Sequence, residues 1–449
     1  MAIAAAATSK AARAQPGSRE LCSYCAGAVG SNISFALVSS YLFVFYTETV
    51  GLAAATAGTL LLVVRGVDAI ADTVVGVAAD NTKSKYGKFR PWLLRGGPLV
   101  FAACALCFVS PPFSGTGKLV FAFCTCLFWS IAYTLCDIPY WSLTPVMTSD
   151  PAARTRVVAA SRTCAQAGYW IALVGAFPLV RWLDGREMFG QRVSGWLLVG
   201  AAAGLLCMIG FWVTFLGVRE RVNEPRRRRQ SPARVAGLLV KCAPLRQLLG
   251  TFFLLETIMA VRAAVAVYYF KYYCGREDLV PVYMAAYFTP VIAGCVLAPV
   301  VCRKLGKANA VRHPVIASGA LTAALWFARD HATAVMLVAA FIGLLEGVSN
   351  IARMACLVDC VDYGRRVTGE RDEGSIFALN IIKTKLAGAA GVALTGWLLG
   401  AIGFRANMAQ GGHTLHWLAL VFTVVIGLAL MLSVFPMRRY ADGGISQYL

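Results

Sequence analysis

Trp196-Leu-Leu-Val-Gly-Ala-Ala-Ala-Gly-Leu-Leu-Cys-Met-Ile-Gly-Phe-Trp-Val-Thr-Phe-Leu-Gly217 runs without a charge into Val218-Arg219-Glu220-Arg221-Val222-Asn223-Glu224-Pro225-Arg226-Arg227-Arg228-Arg229. The first part is long enough to cross a hydrocarbon core, which takes about 20 apolar residues as a helix. The second part is a segment that no bilayer interior accepts, and it falls near the middle of the chain. Apolar stretches near residues 22–47, 52–79, 92–112, 117–145, 157–180 and 193–217 precede it. Six more follow, near 246–273, 279–302, 312–328, 332–356, 374–402 and 415–436. This pattern predicts an all-α polytopic membrane protein of about twelve transmembrane helices, in two pseudo-repeated bundles facing one central cavity.

The domain plan is then a cytoplasmic tail (1–20), an N-terminal six-helix bundle (21–218), a basic linker (219–243), a C-terminal six-helix bundle (244–437) and a short tail (438–449). Composition agrees: 58% of 449 residues are hydrophobic and only 14% are charged, which excludes an ordinary soluble enzyme. The net charge of +20 sits in short connectors, as the positive-inside pattern requires, so nucleic acid is not an expected partner. Lys83, Lys85, Lys88 and Arg90, then Arg154 and Arg156, the linker arginines, Arg303, Lys304 and Lys307, and Arg365 and Arg366 all fall on one side. That side is cytoplasmic, and both termini share it in a multi-pass protein of the cell membrane.

The first twenty residues lack a separate apolar core with a cleavage site and read as a tail. Fifteen cysteines scattered through apolar segments act as small hydrophobes, and four dispersed histidines suggest no metal cluster. No nucleophile–base pair or metal-ligand spacing points to an enzyme, and no cofactor is expected beyond a coupling ion.

Function is sought in the ionisable groups inside spans, each costing roughly 2.5–3.5 kcal/mol at a helix centre on insertion scales. In Arg65-Gly-Val-Asp68-Ala-Ile-Ala-Asp72 the carboxylates lie four residues apart, on one helix face and about 6 Å from each other. Such a pair holds Na⁺ when further oxygens join it, or shares a proton; alternatively one aspartate pairs with Arg65 and locks helices. In Tyr133-Thr134-Leu-Cys-Asp137-Ile-Pro-Tyr-Trp141 a carboxylate precedes an indole by one turn. The carboxylate accepts from adjacent hydroxyls and the ring covers the apolar face of a sugar; a proline-kinked packing helix is the alternative. Arg162 supplies a fork for Asp137 or for hydroxyls, or else snorkels. In the second half Arg262, Glu346, Asn350, Lys383 and Lys385 interrupt apolar spans. Lys385, near Gly388 and Gly391, is the preferred cavity cation, and Lys383 reads as a membrane-edge residue.

These motifs resemble the glycoside-pentoside-hexuronide:cation symporter family of the major facilitator superfamily over nearly the whole chain. The resemblance is carried by Arg65-x-x-Asp68-x-x-x-Asp72, Lys83-Ser-Lys-Tyr-Gly87-Lys88-Phe-Arg90-Pro91-Trp92, Asp137-Ile-Pro-Tyr-Trp-Ser, and Thr148-x-Asp150 with Arg154 and Arg162. Tyr268-Tyr-Phe-Lys-Tyr and Asp359-x-x-Asp362-Tyr363-Gly364 with Glu373-Gly374 complete it.

The resemblance implies the major facilitator fold and import of a sugar or glycoside with H⁺ or Na⁺ by alternating access. By it, Asp68, Asp72 and Thr134 match cation-site positions, with Asp68 and Asp72 as metal ligands only under Na⁺ coupling. Asn32, Tyr133, Asp137, Trp141, Arg162, Asn350 and Lys385 match substrate positions. Lys88, Arg90, Asp150, Arg154 and Asp362 are the expected cytoplasmic gate, made of ion pairs that break on opening.

Ala71 stands where Na⁺-using members offer an asparagine oxygen, which favours H⁺. Asn32 and Asn350 replace an aspartate and a tryptophan of melibiose-type carriers, which argues against an α-galactoside and towards a hexuronide or β-glycoside. A monomer in the lipid bilayer is expected. A carrier of an amphiphile such as a lysolipid, and a sugar sensor that does not transport, are the competing readings.

Overall fold

The computed structural model describes residues 16–185, 187–188, 191–192, 194–221, 237, 239–240, 242–368, 373–438 and 440. Most of the N-terminal tail, the linker arginines 226–229 and most of the C-terminal tail lie outside the described residues, as do the side chains of Arg365, Arg366 and Glu373.

The chain is helical almost throughout. The helices are α1 (Ser18–Val44), α2 (Ala54–Asn81), α3 (Arg90–Cys107), α4 (Thr116–Met147), α5 (Pro151–Leu183) and α6 (Gly195–Gly217). They continue with α7 (Ala243–Tyr268), α8 (Leu279–Leu305), α9 (Lys307–Ala324), α10 (Ala332–Thr368), α11 (Glu373–Ala401), α12 (Gly412–Leu420) and α13 (Ile426–Ser433). Every predicted apolar stretch is therefore helical, the last one divided into α12 and α13 by a π-helical turn at Val421–Val425. Among the described residues the one departure from all-α is a pair of two-residue strands, β1 (Glu187–Met188) and β2 (Gln191–Arg192), paired antiparallel.

Among the described residues nine spans are long and apolar enough to cross a membrane by composition. Helix α2 carries Arg65, Asp68 and Asp72 within its length, and α3 and α9 are 18 residues long and begin with basic residues. Helices this polar need protein or water around their charges.

The chain divides into two compact units. One contains the described residues up to Leu52 and from Val63 to the linker; the other contains Ala53–Leu62 and the described residues after the linker. In the first, α1 packs on α5 and α6, and α3 on α4 and α6. Gly30 allows the contact of α1 with α6, because a Cβ there would lie 2.5 Å from the Leu206 carbonyl oxygen. In the second, α8 packs on α10, α7 on α11, and α9 on α10 and α13. Gly294 and Gly347 bring α8 and α10 together: a Cβ on Gly294 would lie 2.0 Å from the Leu344 oxygen.

Candidate cation and substrate site

The carboxylate pair on α2 meets two hydroxyls on α4. Ser130 Oγ donates to Asp68 Oδ1 at 2.7 Å, and Thr134 Oγ1 lies 3.1 Å from both Asp68 Oδ1 and Asp72 Oδ1. Ser130 and Thr134 are one turn apart, so they present their hydroxyls to the same neighbouring helix. Asp68 is 2% exposed, and its other oxygen, Oδ2, lies 3.6 Å from Arg65 Nη1. The two oxygens of Asp68 thus meet different partners, hydroxyls at Oδ1 and a guanidinium at Oδ2.

A hydrogen count constrains the pair further. A hydroxyl carries one hydrogen, so Thr134 donates to only one carboxylate at a time. Both contacts are hydrogen bonds together when the second carboxylate carries a proton and donates to Thr134 Oγ1. A small cation among these oxygens would resolve the same conflict.

Arg65 also reaches the aromatic layer, with its Cζ 5.8 Å from the ring centres of both Phe35 and Trp129. Trp129 stacks on Tyr133 at 5.1 Å, and Phe35 lies 5.7 Å from Tyr133. Tyr133, Asp137 and Trp141 follow at intervals of four along α4 and form one line on the helix. All three are half-buried. Trp141 Nε1 donates to Asp137 Oδ1 at 3.0 Å, and the Arg162 guanidinium on α5 covers the Trp141 ring at 4.1 Å. Indole, carboxylate and guanidinium therefore make one polar–aromatic group, with an exposed Arg162. Asn32 on α1 is half-buried, and its amide nitrogen donates to the Ala28 carbonyl at 2.9 Å.

The remaining expected substrate positions belong to the second unit. Asn350 lies exposed on α10, and Lys385 is half-buried on α11. Lys383, expected at a membrane edge, is instead 8% exposed, with its Nζ 2.5 Å from Glu256 Oε1. The correction has a simple cause: position 383 faces α7, where a carboxylate within the apolar span compensates its charge.

Four of the five positions expected to form the gate, Lys88, Arg90, Asp150 and Arg154, make hydrogen bonds through or to the backbone. Glu220 accepts the N–H groups of Lys88, Phe89 and Arg90 at 2.8, 2.9 and 3.1 Å, at the start of α3. Gly87 is required there: its φ is +106°, and a Cβ would meet the Glu220 carboxylate at 2.4 Å. The Arg90 side chain donates to the Phe215 carbonyl, with Nε at 3.0 Å. Asp150 caps α5, accepting from Ala152 and Ala153 at 3.3 and 3.2 Å. Arg154 Nη2 donates to the carbonyls of Pro145 and Thr148. Asp362 is exposed, while its neighbour Asp359 pairs with Lys307 at 2.6 Å.

Sequence reasoning missed Ser130, Glu220, Glu256 and Arg353. Ser130 was accessible as the residue one turn before Thr134, and Glu256 and Arg353 as charges within apolar spans. Glu220 gave no signal, since it looks like one more linker charge.

A mostly helical chain with apolar spans and paired charges inside them is a multi-pass membrane protein. The chain belongs to the family described as MFS/sugar transport protein, whose model matches residues 23–441. It is 30% identical over 424 residues to the symporter YnaJ of Bacillus subtilis (strain 168), covering 93% of this chain and 90% of that protein. It is 29% identical over 415 residues to an isoprimeverose transporter of Lactiplantibacillus pentosus, covering 91% and 86%. The fold is similar to that of a crystallised D-xylose-proton symporter, with a TM-score of 0.64 at 12% identity over 94% of this chain and 97% of the other.

Proposed function

We propose that the protein is a secondary symporter that moves a sugar or glycoside across the cell membrane with one monovalent cation, a proton. The observation that carries this reading is the Thr134 hydroxyl 3.1 Å from both Asp68 and Asp72. A proton completes the hydrogen bonding there. Na⁺ is the less suited ion, because Arg65 stands beside one Asp68 oxygen and Ala71 offers none.

The sugar reading rests on Asp137, Trp141 and Arg162, whose ring, acceptor and fork suit a hydroxylated ring with one apolar face. The relative named as an isoprimeverose transporter supports the same class of cargo. Alternating access between two bundles, with both termini cytoplasmic, completes the reading.

The test is accumulation of labelled glycosides in proteoliposomes under separately imposed H⁺ and Na⁺ gradients, with Asp68→Asn and Asp137→Asn beside the native chain. A glycoside accumulated under the H⁺ gradient alone, and by neither variant, supports the reading. Accumulation under the Na⁺ gradient alone refutes the choice of ion. No accumulation under either gradient by folded protein refutes the function.

A further inference from the structure

A cavity lies wholly within the second unit, where the first turn of α7 meets the 3₁₀ turn Phe435–Met437 that follows α13. It is lined by Arg246, Gln247, Phe435, Pro436 and Arg438, and its volume is about 360 Å³. The span Ala243–Tyr273 begins here and the span Gly412–Met437 ends here, so the cavity sits at the depth of the lipid head groups.

Both arginines are held in place. Arg246 Nη1 donates to the carbonyls of Leu239 and Val240, each at 3.1 Å. The Arg438 guanidinium lies against the Phe435 ring, with Cζ 4.8 Å from its centre. Arg312 on α9 donates from Nη2 to the carbonyls of Met437 and Arg438 at 3.3 and 3.2 Å, which fixes the turn that carries Arg438. A guanidinium has five N–H donors in a planar fork, so each arginine retains donors for a ligand. No carboxylate lines the cavity among the described residues. Two cations without an acidic neighbour favour an anion, and their forks suit the oxygens of a phosphate group.

The neighbouring surface indicates what bears that phosphate. Leu428, Leu432 and Phe435 follow at intervals of four and three, so they form one row that leads to the cavity. They are 50%, 69% and 63% exposed. Gly250, one turn into α7 from Arg246, adds no bulk beside the row: a Cβ there would meet only Pro436, at 4.0 Å. An exposed apolar row on a spanning helix is solvated by acyl chains. Basic pockets between such helices at the membrane surface suit acidic head groups.

We propose that this cavity binds the head group of an anionic phospholipid, with its phosphodiester between Arg246 and Arg438 and an acyl chain along Leu432 and Leu428. The Gln247 amide serves a head-group hydroxyl as donor or acceptor. A zwitterionic lipid brings an ammonium group that finds no carboxylate here, so the site selects for net negative charge. It requires only that the chain spans a membrane, whatever solute is carried.

The test is native mass spectrometry of the full-length chain in detergent. The probes are palmitoyl-oleoyl phosphatidylglycerol, palmitoyl-oleoyl phosphatidylcholine and glycerophosphoglycerol, which is the anionic head group without acyl chains. Arg438→Gln and the double variant Arg246→Gln/Arg438→Gln are run beside the native chain. Arg303→Gln, at an exposed arginine near the end of α8, controls for general attraction to basic connectors. The native chain is expected to prefer phosphatidylglycerol to phosphatidylcholine at least about 10-fold, the size of one charge-assisted hydrogen bond. That ratio falls below about threefold in the double variant, falls at least about twofold in Arg438→Gln and keeps its native value in Arg303→Gln. Glycerophosphoglycerol competes at least about 10-fold more weakly than the lipid. If the double variant does not fold, Arg438→Gln decides the matter, since its guanidinium lies against an exposed ring and not in the core.

Equal affinity for the two lipids in the native chain overturns the inference. A preference unchanged in the variants at Arg246 and Arg438, or lost equally in Arg303→Gln, overturns it too. Glycerophosphoglycerol competing as strongly as the lipid reveals a site for free phosphodiesters and overturns the lipid assignment.

Discussion

Replacing Thr134 by valine keeps the shape of the side chain and removes the hydroxyl between Asp68 and Asp72. Under the proposed proton coupling, that hydroxyl donates one hydrogen bond in the cation-free site. In the proton-bound site it takes part in two, donating to one carboxylate and accepting from the other, as the pair of 3.1 Å distances permits. Thr134→Val therefore costs the proton-bound state one more hydrogen bond than the free state. A net hydrogen bond of about 0.5–1.5 kcal/mol corresponds to roughly a 2- to 12-fold loss in apparent affinity for the coupling proton. The assay is glycoside uptake into proteoliposomes as external proton concentration is varied, read as the concentration giving half-maximal rate. That concentration is expected to rise by this factor in Thr134→Val and to return towards the native value in Thr134→Ser. An unchanged half-maximal concentration in folded Thr134→Val would refute the bridging role. Ser130→Ala is the internal comparison: its bond to Asp68 is present in both states, so the half-maximal concentration should move less than in Thr134→Val.

Trp141→Phe keeps a ring beneath Arg162 but removes the N–H that holds Asp137, so the glycoside KM should rise by about 5- to 20-fold with less change in the maximal rate. Glu220→Ala removes the acceptor of three backbone N–H groups at the start of α3 and should destabilise the first unit by about 1–3 kcal/mol, read as a lower thermal midpoint in detergent. Gly347→Ala would place a Cβ 2.1 Å from the Val291 carbonyl oxygen and should separate α8 from α10, lowering the midpoint by more than Gly388→Ala, where a Cβ meets nothing within 4 Å.

The helices were legible because a bilayer allows so few backbone solutions: each apolar run had to be a helix, and hydropathy alone outlined them. Their ends were less legible, since nothing apolar marks them. Helix α10 continues to Thr368, past the predicted end at 356, because its polar last turns need no lipid. The carboxylate pair and the Asp137–Trp141 line were readable from intervals of four within single helices. What intervals cannot give is the partner across a helix contact. Ser130 on α4 pairs with Asp68 on α2, and Lys383 on α11 pairs with Glu256 on α7. Lys383 looked like an edge residue for that reason, because the charge that compensates it lies 127 positions earlier in the chain.

Helix α4 supplies both halves of the first unit's site. Ser130 and Thr134 face the carboxylates of α2, while Tyr133, Asp137 and Trp141 begin one residue away on the adjoining face. Any rotation or shift of α4 that tightens its hydroxyls on a protonated aspartate pair also moves the indole, the carboxylate and the Arg162 stacked on them. Arg65 provides a second link, paired with Asp68 and lying against Trp129, which stacks on Tyr133. Under the proposed symport, reciprocal coupling of about 1–3 kcal/mol between cation and sugar needs no distant relay. One rigid helix with two bonding faces is sufficient, because each ligand favours the same placement of that helix and thereby the binding of the other.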